Sequence, residues 1–220
     1  MADFTSQGVS SQGTKLYVQG GTPAAALSIT AITKAVQALV TGANTMDAGD
    51  VVVFGDIVGM PEIKGKSGIV IAPTGADFTV NIDTSDYATA GTTGTAEALD
   101  LLPVCEARNF NGFDGQASEI DKTTLCSTAK EFVPGLQDFG SFNFEMNYVP
   151  SDPAQMAMQN AKASGETLWW ELVLPDNMGS WIFQAFVRQM TISGGVDAVL
   201  SSSVVLRITG EPAFGGGAAP

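Results

Sequence analysis

Ser141-Phe-Asn-Phe-Glu-Met-Asn-Tyr148 alternates without a break. Phe142, Phe144, Met146 and Tyr148 fall on one side, and Ser141, Asn143, Glu145 and Asn147 on the other. A period of two is the mark of a β-strand with one dry face and one wet face. This stretch decides the fold class, because the apolar segments around it also read as strands. Upstream, residues 122–137 are polar, rich in Ser and Thr, and interrupted by Pro134-Gly135, which reads as a turn. A segment of that length without structure of its own is uncommon unless it contacts something.

Working outward, Lys15-Leu-Tyr-Val-Gln19 predicts a short strand closed by Gly20-Gly21 and Pro23, after a small, polar arm over 1–14. Val51–Phe54, Gly68–Ile71 and Phe78–Ile82 predict strands bounded by Gly, Pro and Asp. Residues 30–40 are apolar and Ala-rich enough for a helix, but Ile29, Thr30, Ile32, Thr33 and Val36 favour strand. Ala88–Ala96 reads as a flexible link without core-forming residues. Leu101–Arg108 is strand-like, and Asn109–Gly115 is a turn-rich connection. Asp152, Pro153 and Gln155 form the clearest helix start, a cap, a first-turn proline and a capping box. Gly165 stops that helix, with Lys162 in its last turn. Leu168–Leu174, Trp181–Ile192 and Ala198–Thr209 close the fold as strands, with Gly215–Pro220 as a disordered end.

The chain has 220 residues, enough for one large domain or two small ones. Charged residues make up only 15%, against about 25% in ordinary soluble domains, which suits a β protein that hides surface in an assembly. The net charge of −13 argues against gripping nucleic acid, since phosphate binding needs clustered Lys and Arg. No apolar run reaches the roughly 18 residues of a membrane span, and Met1–Gly8 has neither the basic start nor the apolar core of a secretory signal.

No catalytic constellation emerges. Histidine is absent, which removes His-assisted nucleophiles and the commonest metal ligand. Glu119 and Asp121 are spaced to face one way from a strand, as a carboxylate pair or as two solvated surface acids; the second reading is preferred. Gly112-Phe-Asp-Gly115 lacks the Lys and Ser/Thr of a phosphate-binding loop, and Asp83-Thr-Ser-Asp86 lacks the length and glycine of a calcium loop. Neither a cofactor nor a metal is expected. Cys105 and Cys126 read as free thiols, a single bridge between them being the competing reading. Trp169 and Trp170 point to opposite faces, one to the core and the other to an interface or a sugar-stacking platform.

Ser118-Glu-Ile-Asp121, Thr123-Thr124-Leu125, Ser127-Thr-Ala-Lys-Glu-Phe-Val-Pro-Gly-Leu136 and Gly140–Tyr148 together resemble the major tail tube proteins of long-tailed (siphovirus-type) bacteriophages. The likeness continues more loosely to Thr209-Gly210, and the short N-terminal strand also suits that family. It implies a mainly β sandwich or barrel with one short helix. It also implies stacked hexameric rings that form the channel through which DNA passes during genome ejection. Ala48–Phe54, Val58–Ile63 and Asp83–Tyr87 resemble a small all-β module inserted in several phage structural proteins. The expected organisation is a discontinuous tube domain over 1–27 and 100–212, an inserted β module over 28–99, and a flexible tail over 213–220. The module carries eight acids against three lysines, so neither part is a basic binding domain.

The implied partners are further copies of the chain and other tail proteins such as the tape measure, terminator and distal tail protein. Double-stranded DNA passes without specific binding, and no membrane is involved. The implied location is the virion tail, assembled in the host bacterial cytoplasm. The long segment before Ser141 supplies the candidates for inter-subunit contact: Thr123, Thr124, Glu131, Pro134, Gly135 and Leu136. Asn143, Glu145 and Asn147, on the wet face, are the candidates for the lumen. The competing function is a phage adhesin or decoration protein that binds host-surface glycans.

Overall fold

The computed structural model describes residues 8–20, 26–42 and 46–215. Residues 1–7 of the polar arm and 216–220 of the C-terminal end lie outside the described residues. The chain divides into two compact units, one built from 1–103, 170–182 and 213–220, the other from 104–169 and 183–212.

The first unit opens with β1 (Lys15–Gln19) and continues into β2 (Leu27–Ile32), β3 (Ala38–Gly42), β4 (Val51–Ile57), β5 (Ser67–Thr74), β6 (Asp77–Val80) and β7 (Gly94–Ala98). Strands β2 to β7 close into a barrel in the order β2-β3-β6-β5-β4-β7. Closure leaves no unpaired edge. Its core holds Ile29, Ile32, Val40, Val52, Phe54, Met60, Val70, Phe78 and Val80. The stretch 30–40 is strand only at its two ends, β2 to Ile32 and β3 from Ala38, with a bend over 33–37 between them. The buried Thr84 pins the bend by donating 2.8 Å to the Thr33 carbonyl and accepting 3.1 Å from the Ala35 amide.

Ala88–Ala96 is not a featureless link. Gly94, Thr95 and Ala96 belong to β7, the strand that closes the barrel between β2 and β4, and Ala96 is buried. A Cβ on Gly91 would lie 2.7 Å from Ile57 Cγ2, and one on Gly94 would run into the Asp56 carbonyl. Small residues stand here because neighbouring chain passes too close for larger ones.

The barrel leaves through β8 (Leu101–Pro103), which pairs antiparallel with β1 so that Gln19 faces Leu101. The Gly20 amide donates 2.7 Å to the Asp100 carbonyl at the point where the chain departs and returns.

The second unit contains β9 (Ala107–Gly112), β10 (Ala117–Asp121), β11 (Phe132–Gln137), β12 (Ser141–Asn147) and α1 (Pro153–Ser164). Strands β13 (Thr167–Val173), β14 (Ser180–Ser193) and β15 (Ser201–Gly215) follow, each divided between the two units. A seven-stranded sheet runs β8-β1-β13-β14-β15-β12-β9, and β10 and β11 form a separate two-stranded ribbon. β12 alternates as its sequence predicts, burying Phe142, Phe144 and Met146. Three expectations change. Asn109–Gly115 is not all turn, since Ala107–Gly112 pairs with β12. Pro134-Gly135 is not a turn but lies inside β11. Ala213–Gly215 is not tail but the end of β15, where the Phe214 ring sits 5.0 Å from that of Trp181.

Helix α1 has the predicted ends. Asp152 accepts 2.9 Å from the Gln155 amide, Pro153 opens the first turn, and Gly165 adopts φ 75. Gln155 does not complete a capping box. Its side chain is buried, accepting from the Val149 amide at 3.0 Å and donating to the Asn147 carbonyl at 2.9 Å. It splices β12 to the helix instead. Replacing Asp152 with Ala is expected to cost about 1 kcal/mol of stability, the usual worth of an N-cap. A thermal melt indistinguishable from the parent's would show that Gln155 alone holds the helix start.

Candidate assembly surface

The wet face of β12 continues across its neighbours. Antiparallel register places Asn143 between Asn111 and Val205, and Glu145 between Asn109 and Ser203. Asn147 faces Ser201 and Ser141 faces Arg207. Directly opposed residues share a face, so the surface is dominated by Asn and Ser. Its arginines are compensated. Arg108 lies 3.8 Å from Glu145, which also accepts 2.9 Å from Asn109 Nδ2, and Arg207 pairs with Asp138. The Gly140 amide and then the Arg207 guanidinium hold the Asp138 carboxyl below the usual carboxylate range. Asn147 Nδ2 donates 2.8 Å to Glu106. The three residues expected to face a lumen thus stand together on one polar face with no unpaired cation along β9, β12 and β15.

The second surface is the β10–β11 ribbon. Asp121 starts its loop by accepting 2.8 Å from the Thr123 amide; the Thr123 hydroxyl first, and then that amide, hold its carboxyl below the usual range. Thr123 Oγ1 accepts 3.0 Å from the Glu131 amide, and Lys122 reaches Glu131 at 3.5 Å. Thr124 is 3.3 Å from Ser127 Oγ. The two hydroxyls expected to touch a neighbour also shape the loop.

What the ribbon offers outward is apolar. Leu136 is 91% exposed, Leu125 is fully exposed, and Ile120, Phe132 and Val133 are also open to solvent. The register slips between Ala117 and Glu119, so that Gly135 and Leu136 on β11 oppose Ser118 alone. Such a bulge accommodates Pro134 within a strand and needs glycine beside it, since a Cβ on Gly135 would strike Ser118. A lone two-stranded ribbon with uncovered apolar side chains is marginal in water and marks an interaction surface. Sequence reading selected Leu136 but missed Ile120, Leu125, Phe132 and Val133, whose residue types suit a buried strand equally well.

Among the described residues no group of acidic or cysteine side chains is placed to hold a metal ion. Among the described residues no helix is long and apolar enough to cross a membrane. Cys105 and Cys126 are both free and exposed.

Residues 79–173, from β6 through the ribbon and β12 to the end of β13, match the model of the lambda-like phage tail tube family. The chain is similar to that family over somewhat less than half of its length. It is 26% identical over 125 residues to "Structural protein 3" of Pseudomonas phage PAJU2, an alignment covering 47% of this chain and 76% of the relative. Among solved structures, a chain from the tail of an empty gene transfer agent particle with C6 symmetry is similar with TM-score 0.45. That likeness has 17% identity and covers 52% of this chain and 85% of the other. A chain of the native gene transfer agent virion is similar with TM-score 0.46 and 16% identity, covering 52% and 88%.

Proposed function

We propose that the chain is a phage tail tube protein that polymerises as stacked hexameric rings enclosing a channel for DNA. The observation that carries this reading is an apolar, uncovered β10–β11 ribbon within the stretch that matches the tail tube family. Contact with the neighbouring subunit or ring is made by the ribbon, through Leu136, Pro134 and Gly135, with Thr123, Thr124 and Glu131 holding its loop in shape. The face of Asn143, Glu145 and Asn147 lines the lumen. Duplex DNA carries about one negative charge per 1.7 Å of axis, so a wall whose arginines are already paired lets it slide. Other tail proteins, the tape measure, terminator and distal tail protein, meet the ends of the tube, and assembly takes place in the host bacterial cytoplasm.

We also propose that the barrel is an insertion into the tube fold, because the chain leaves and rejoins the sheet at hydrogen-bonded neighbours. Electron microscopy of the purified full chain, beside a chain with 21–99 replaced by a short Gly/Ser turn, tests both statements. Hollow filaments or rings are expected from each. Discrete particles from the full chain that bind glycans would replace the tube with an adhesin. Rings from the full chain alone would make the barrel part of the tube core.

A further inference from the structure

Glu171 is a buried acid with no basic partner among the described residues. Only 6% of it is exposed, and the Ser180 hydroxyl donates 2.7 Å to its Oε1. It lines a cleft of about 630 Å³ between the barrel and the strands that carry it, within the first unit. Every charged group facing Glu171 across that cleft is acidic. Asp50 stands in the turn leading into β4, and Asp100 on the link between β7 and β8. Tyr17 of β1 is directly opposite Glu171 in the ladder. Lys15, at the diagonal position on the same strand, is exposed and outside the cleft, as is Asp176 in the turn after β13.

We propose that Glu171 makes the seat of the barrel a pH-sensitive joint, closed on the β1–β13 ladder when this side chain is neutral and loosened when it is ionised. The physical cause is burial with no compensating cation across the cleft. Burial pushes the Glu171 carboxyl above the usual carboxylate range; the Ser180 hydrogen bond pulls it part of the way back, and repulsion from Asp50 raises it again. A group raised in the folded state adds stability that is complete below its unfolded value. That stability is lost as pH rises through the folded value. The joint is therefore tighter in mild acid. The turn most affected is Ala48–Val51, held by the Gly49 amide on the Val70 carbonyl and the Val70 amide on the Asp50 carbonyl, each at 2.8 Å.

Hydrogen exchange on the full chain tests the joint, with rates corrected for intrinsic pH dependence. From about pH 5 to about pH 8, above the ordinary carboxylate range, exchange at Gly49 and Val70 is expected to rise severalfold. Exchange in α1 should stay level. Glu171→Gln should hold the turn protected at both ends of that interval. If that variant does not fold, two others give opposite signs. Ser180→Ala removes a donor to the ionised form and moves the loosening to higher pH. Asp50→Asn removes repulsion and moves it to lower pH with a smaller amplitude. A flat wild-type response, an undiminished response in Glu171→Gln, or shifts of the same sign in the two others would overturn the proposal.

Discussion

Phe142→Ala is expected to cost about 3–5 kcal/mol, the usual loss when a large aromatic is cut from a packed core. Phe142 is fully buried, and its ring centroid lies 5.3 Å from that of Phe183, 5.6 Å from Phe113 and 6.0 Å from Phe110. Phe144 is a further neighbour at 6.3 Å. The backbone of β9 comes close enough that a Cβ on Gly112, directly opposite in register, would collide with the Phe142 ring. Rigid backbone on that side leaves little room for collapse into the space vacated. A domain of this kind has only about 5–15 kcal/mol in total, so the variant should be largely unfolded in modest urea. Phe110→Ala, at a half-open position, should cost much less. Equal losses from the two replacements, in denaturant titrations, would mean that the cluster repacks around the gap.

The second large effect falls on assembly. Leu136→Asp should leave the monomer's melting temperature nearly unchanged, because surface replacements usually stay within about 0.5 kcal/mol. Ring formation should be lost. Burying a leucine is worth about 1.5–3 kcal/mol, and a closed ring repeats the loss at every contact while adding a carboxylate to each. Sedimentation and electron microscopy read the outcome. Thr123→Ala should behave differently, weakening assembly only as far as the loop loses its shape, since that hydroxyl accepts from the Glu131 amide. Tubes of normal length from Leu136→Asp would remove the ribbon from the interface.

The elements legible in the sequence are those whose physics is local. Phe142, Phe144 and Met146 announce a half-buried strand because alternation has no helical counterpart. Asp152, Pro153 and Gly165 mark a helix because caps depend on a few adjacent residues. The misreadings arise where a residue answers to something distant. Pro134-Gly135 has the chemistry of a turn, and only the bulge opposite Ser118 explains why it sits in a strand. Gly91 and Gly94 look like flexibility but reflect the passage of Ile57 close by. Gln155 has the right spacing for a capping box, yet Val149 and Asn147 claim its side chain. For the assembly surface, the polar face around Glu145 was readable from period two, whereas the apolar exposure of Leu125 and Phe132 was not, since composition alone suits a buried strand equally well.

The adjoining tethers of the barrel also have a mechanical consequence. Because the chain departs after Gln19 and returns at Leu101, paired across one ladder, a pull on the barrel along the strand direction loads β1 and β8 together. Next in line is the ladder of Lys15, Leu16, Tyr17 and Val18 to β13. Loaded lengthwise, those pairs resist in shear and must give way at once, instead of unzipping one after another. Drag on the barrel is thereby carried by the strongest loading geometry a β-ladder has.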